Sequence, residues 1–250
     1  MSMPQQTIMR LRELRLHTMA DAYQLQLDQP SLHQIPFDDR FGNIVEYAAS
    51  CKESALLKRL MKAADFPETA SLEELDFEVV RGLDRTLVAS LGSCEWIRRC
   101  LNLAILGPTG MGKTWIACAF GMQACRLKMS TVFWSASRLW EAIRTADIDG
   151  SLGNFKASLI RPALLILDDF GIEEISAVAG RVLLDVVDRR QKSGSLLITS
   201  QLPSDQWHTR FPDPTIADAL LDRIVHRSYK LQLKGESMRK IQAKKQMGDE

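Results

Sequence analysis

The sequence predicts an α/β protein in which a parallel sheet carries helices on both faces and follows an N-terminal helical region. Three observations lead there. From residue 101 onward, short apolar runs alternate with longer stretches of helical spacing. The runs lack polar alternation, as strands buried on both faces do. The first of them, LNLAIL at 101–106, leads directly into GPTGMGKT at 107–114 and then into WIACAFGMQACRL. That is the strand, glycine loop and helix order of a phosphate-binding turn.

The elements follow in order. Ile8, Leu11, Met19, Ala22 and Tyr23 fall near helical spacing and predict one helical segment, closed by Pro30 and Pro36. Phe41, Ile44, Val45, Ala48, Leu56, Leu57, Leu60 and Met61 predict a second helix ending near Pro67, with Asp38 or Asp39 as its cap. Between Ala63 and Phe77 the acidic and proline content rises, which predicts a connector, and Ser71 with Glu74 has capping-box spacing. Strands are expected at 101–106, 131–135, 163–167, 195–200 and 228–233. Helices are expected from about 113, near 137–145, 177–192 and 215–227, with a short one at 204–210 and a basic helical tail. The expected division is a helical domain over 1–66 and an α/β domain over 67–250.

Composition sets the outer limits. Hydrophobic residues make up 46% and charged residues 25% of the 250 positions, which excludes wholesale disorder. The 32 basic and 31 acidic residues leave +1, so a globally basic nucleic-acid coat is excluded while local patches remain. Five cysteines without a C-x-x-C pair argue against a zinc ribbon or a disulfide scaffold and fit a reducing cytosol. The opening MSMPQQTIMRLRELR has no apolar leader, and no apolar run approaches the roughly 18 residues of a membrane span. The expected place is therefore the cytoplasm, away from membranes.

The loop of Gly107, Pro108, Thr109, Gly110, Met111, Gly112, Lys113 and Thr114 satisfies G-x-x-x-x-G-K-[ST]. A polyphosphate requires backbone N–H groups directed inward, which glycines permit, and a helix N-terminus adds its positive dipole end. Lys113 is expected to neutralise the β- and γ-phosphates, and the Thr114 hydroxyl to ligate Mg²⁺. ALLILDDFG places Asp168 and Asp169 at the end of an apolar strand. Neighbours on a strand point to opposite faces, so Asp168 is expected to hold Mg²⁺ and Asp169 to orient and polarise the attacking water. In SLLITSQLP, a polar group at the strand tip could sense the γ-phosphate, whether Thr199, Ser200 or Gln201. ADALLDRIVHRS carries Arg223 and Arg227 four apart on one helical face. Such a guanidinium could stabilise transition-state phosphate charge from a neighbouring subunit.

These segments, GPTGMGKT, LLILDDFG, ITSQLP and LLDRIVHRSYKLQLKGESMRK, together with FDDRFGNIVEYAASCKESALLKRLMKAADFP, resemble the AAA+ ATPases that help insertion-sequence transposases, the IstB group. The group is related to DnaC-type helicase loaders and, more distantly, to DnaA. The resemblance implies an AAA+ P-loop core of sheet order 5-1-4-3-2, ATP with Mg²⁺, and a homo-oligomer with nucleotide at subunit interfaces. It further implies assembly on double-stranded DNA, remodelling of that DNA as a target, and recruitment or stimulation of a cognate transposase. Arg223 corresponds to the family's trans-acting finger. Little or no C-terminal lid is expected, with Arg239 of GESMRK a nucleotide contact in its place.

Residues 223–245 carry a net charge of +7, and Lys52, Lys58, Arg59 and Lys62 form a second cluster. Largely nonspecific duplex binding is expected, since no helix offers a base-reading set. Trp96 and Trp115 are candidates to cover an adenine base. A helicase loader is the alternative. His17, His33 and Cys51 make a poor zinc set for a loader's N-terminal region. A small-molecule phosphotransferase would need an acceptor pocket and a finger in cis. A GTPase would need N-K-x-D, which is absent.

Overall fold

The structure, a computed structural model, describes residues 2–79, 81–241 and 248. The chain divides into two compact units, residues 1–59 and 60–250. Among the described residues no helix is long and apolar enough to cross a membrane.

The first unit holds α1 (Met3–Glu13), α2 (His17–Leu27), a 3₁₀ turn (Pro30–Gln34) and most of α3 (Phe37–Ala64). The single helix expected before Pro30 is thus two. The break falls at Arg15, whose φ of 61° lies in the left-handed region, where an L-residue cannot continue a right-handed helix. Asp38 and Asp39 lie inside the first turn of α3 rather than capping it, which still sets carboxylates against the positive dipole end.

In the second unit, five parallel strands stand in the order β2-β3-β4-β1-β5. They are β1 (Asn102–Leu106), β2 (Thr131–Ser135), β3 (Leu164–Asp168), β4 (Ser195–Ser200) and β5 (Ser228–Gln232). Every residue of β1, β3 and β4 is buried. Alternation then divides them between two cores: Leu103, Ile105, Leu164, Ile166 and Leu197 face one, Ala104, Leu106, Leu165, Leu167, Leu196 and Ile198 the other. Each fully buried Leu or Ile contributes about 1.5–3 kcal/mol. The first core is closed by α4 (Arg85–Gly92), α5 (Glu95–Arg98), α6 (Lys113–Arg126) and the connector after α3. The second is closed by α7 (Ala136–Ile148), α8 (Leu152–Ile160), α9 (Ala177–Arg190) and α10 (Pro214–Val225), with the 3₁₀ turn Ser204–Arg210.

Side chains fix several helix starts. Asp84 accepts from the Thr86 and Leu87 amides, Ser176 from Ala179, and Asp213 from Thr215 and Ile216 just before Pro214. The expected capping box at Ser71 does not form: its hydroxyl bonds the Glu73 carboxylate instead, and Arg126 joins the pair. Buried Arg190 ties α8 to the sheet. It donates to the carbonyls of Leu159, Ile160, Pro162, Ala163 and Ser195 at 2.6–3.2 Å.

Candidate functional site

The glycine loop leaves the carboxyl end of β1 and enters α6 at Lys113. Gly110 and Gly112 take φ of 79° and 82°, values that L side chains disfavour and that turn successive amides towards one side. Gly107 allows close approach: a Cβ there would stand 2.6 Å from the Leu233 carbonyl oxygen. The chain after β5 therefore runs against the loop, with the Leu233 amide donating to Leu106 at 2.7 Å and the Met238 amide to Gly110 at 2.8 Å.

Lys113 is buried and its ammonium donates to the Pro108 carbonyl at 3.0 Å. Burial pushes its pKa down, while Asp169 and Asp168 pull it back up. Thr114 donates to the Asp168 carboxylate, with oxygens 2.9 and 3.1 Å apart. The acidic strand β3 does not adjoin β1, because β4 lies between them. Thr199 at the end of β4 fills that gap: its hydroxyl donates to Asp168 at 2.5 Å and accepts from the Asp169 amide at 2.9 Å. Burial raises the Asp168 pKa, opposed by the hydrogen bonds from Thr199 and Thr114.

Asp169 departs from the expected strand alternation. β3 ends at Asp168, and Asp169 has a φ of 56°, so a left-handed turn sets its direction. It lines the same cleft as Lys113 and Thr114.

The strand-tip residues separate. Gln201 lines the cleft. Ser200 does not: it is buried, donates to Phe170 at 2.7 Å and accepts from the Trp207 indole at 3.0 Å. These bonds engage the hydroxyl of this γ-phosphate candidate within its own chain.

Arg223 bonds Asp188 at 2.9 Å and the Ala219 carbonyl at 2.6 Å. The end of α10 meets the start of β1, where Asn102 donates to Arg227 and Ile224. About 13 Å of strand separates that end from the loop, so Arg223 stands apart from its own chain's cleft.

The cleft has a volume of about 460 Å³. Beyond the loop and Asp169, Trp115, Arg81, Glu68, Asp76 and Arg239 line it. Trp96 is core, its indole donating to Leu91 at 3.1 Å. The connector carboxylates and Arg81 were missed by sequence reasoning, since no motif marks them. Of the +7 segment, Lys244 and Lys245 lie outside the described residues. In the first unit Arg10 pairs with Glu13 and Arg12 with Asp21, which reduces the field that α1 can present.

A model of the IstB-like ATP binding protein family matches residues 9–246. An insertion-sequence ATP-binding protein of Sinorhizobium fredii is 36% identical over 235 residues, covering 94% of this chain and 95% of that protein. One named for insertion sequence IS1162 of Pseudomonas fluorescens is 42% identical over 203 residues, covering 81% and 88%. Among solved structures, DnaI superposes with a TM-score of 0.57 at 17% identity over 71% of this chain and 94% of its own. The DnaC helicase loader gives 0.57 at 18% identity, with 71% and 99% covered. These two likenesses concern the fold alone.

Proposed function

The chain belongs to the IstB-like ATP binding protein family, and from that membership we propose that it is the ATP-dependent, DNA-binding helper ATPase of a transposition system. The observation that carries the ATPase reading is the bonding of Thr114, which lines the cleft beside Lys113, to Asp168, which Thr199 also bonds.

In this reading the loop amides and Lys113 hold the β- and γ-phosphates of ATP, and α6 directs its positive end at them. Thr114 and Asp168 suit a hard divalent cation: both offer oxygens, they touch each other, and burial raises the Asp168 pKa by stripping water from its carboxylate. Mg²⁺ bound there supplies charge to steady the phosphate oxygens. Asp169 orients the attacking water and takes its proton. Gln201 reaches the γ-phosphate side. Arg223, remote from its own cleft, completes that of a neighbouring copy.

ATP thus fastens one protomer to the next along double-stranded DNA, largely without regard to sequence. The N-terminal helices and the basic residues after Arg223 grip phosphates. The assembled protein remodels the duplex and recruits or stimulates its transposase.

Size analysis on long duplex DNA, with and without a non-hydrolysable ATP analogue, tests this. A large particle that needs both nucleotide and DNA is expected. A complex that forms only with a replicative helicase would overturn the transposition reading in favour of a loader.

A further inference from the structure

Arg81 is 4% exposed, yet its partners among the described residues are two backbone carbonyls and no carboxylate. One guanidinium nitrogen donates to Asp76 in the connector at 2.9 Å, the other to Met111 in the glycine loop at 3.4 Å. Its Nε is buried without a partner. Burial lowers its pKa, with Asp76 opposing. A Cβ on Gly112 would stand 3.3 Å from the guanidinium, and Arg81 lines the nucleotide cleft.

The segment that carries Arg81 is itself fixed. Its carbonyl accepts from the Lys234 amide at 3.0 Å. The next residue, Gly82, has a φ of 75°, and a Cβ there would meet the Gln232 carbonyl at 2.8 Å. The arginine thus starts from a rigid support beside β5 and reaches across to the loop.

We propose that Arg81 is a positioning residue for the phosphate loop. By holding the Met111 carbonyl outward and bridging it to Asp76, its planar fork keeps the loop amides turned towards the phosphates. The nucleotide's negative charge offsets the cost of burying the guanidinium. The inference rests on the nucleotide reading of the cleft. It concerns the phosphate end and not the base, so any nucleoside diphosphate is affected alike. A fork spans two carbonyls in a way that neither an ammonium nor a single amide can.

The test uses the full chain, with ADP and GDP binding measured by calorimetry for wild type, Arg81→Lys and Arg81→Gln, each checked for cooperative melting. Both variants are expected to lose about tenfold or more in affinity, as for a charge-assisted bond, and by the same factor for the two nucleotides. Wild-type affinity in Arg81→Lys overturns the proposal, as does a loss confined to ADP, which would make Arg81 a base reader. Hydrogen exchange on the wild type gives a second reading that needs no variant. ADP is expected to protect peptides 76–82 and 108–114 together, and protection of the loop alone overturns the bridge. A wild type that binds no ADP would instead remove the nucleotide reading itself.

Discussion

Thr199→Val tests the junction between β3 and β4 most directly, because valine keeps the shape and removes only the hydroxyl. That hydroxyl makes two bonds at a fully buried position: it donates to Asp168 at 2.5 Å and accepts from the Asp169 amide at 2.9 Å. Losing a bond to a charged carboxylate costs about 1.5–3 kcal/mol, and orphaning a buried N–H about 1–3 kcal/mol. A total near 4 kcal/mol is expected at neutral pH, which lowers the melting temperature by roughly 10 °C for a unit of this size. The pH dependence carries the sign. Burial holds Asp168 above its ordinary value of 3.8, and Thr199 draws it down. A carboxyl raised in the native state weakens stability as pH climbs from the unfolded value through the native one. Valine widens that gap. The deficit against wild type is therefore greatest near pH 7 and shrinks below about pH 4, where Asp168 is protonated in both states and only the orphaned amide remains. The acid limb of the ATPase rate should also move upward in pH. Thermal melts at the two pH values and a phosphate-release profile measure both effects. An equal deficit at both pH values, with an unmoved acid limb, would refute the role assigned to the hydroxyl.

Other substitutions probe the remaining parts. Asp169→Asn should keep ATP bound while phosphate release falls by about a hundredfold or more; normal turnover would move the base role elsewhere. Mixing Arg223→Ala with Lys113→Ala chains should restore part of the hydrolysis that each lacks alone, and no rescue at any ratio counts against a finger in trans. Arg190→Met leaves five carbonyls without their donor, so a loss of about 3–5 kcal/mol is expected in urea melts. Duplex affinity should fall steeply with added salt and change little with sequence; a flat salt response removes the electrostatic account.

The sheet was legible because its strands are buried on both faces and so spell uninterrupted apolar runs. The strands at 131–135 and 195–200 fall where expected, and the others lie within one residue at either end. What escaped lacks that signature. The break between α1 and α2 turns on Arg15, which carries no glycine or proline to announce it. The helices α4, α5 and α8 are only 8, 4 and 9 residues long, too short for a spacing pattern to stand out. At the site, the glycine loop and paired aspartates are contiguous in sequence and were visible at once. Ser200 and Thr199 looked equivalent, because only the neighbouring strands decide which hydroxyl meets Asp168 and which meets Trp207. Arg81 lies 30 residues from the carbonyl it holds, and only the folded connector brings them together.

The distance along β1 between the glycine loop and Arg223 gives the molecule two unlike poles. Where a contact that joins one pole to the other is not returned between the same two copies, it runs head to tail and continues until the accumulated rotation closes a ring or winds an open spiral. In an open spiral, the assembly proposed on the duplex would be polar, with one free loop at the first copy and one free arginine at the last. A copy that keeps Arg223 but lacks Lys113 can join at one end alone, so a small dose of it should set the length of the whole array.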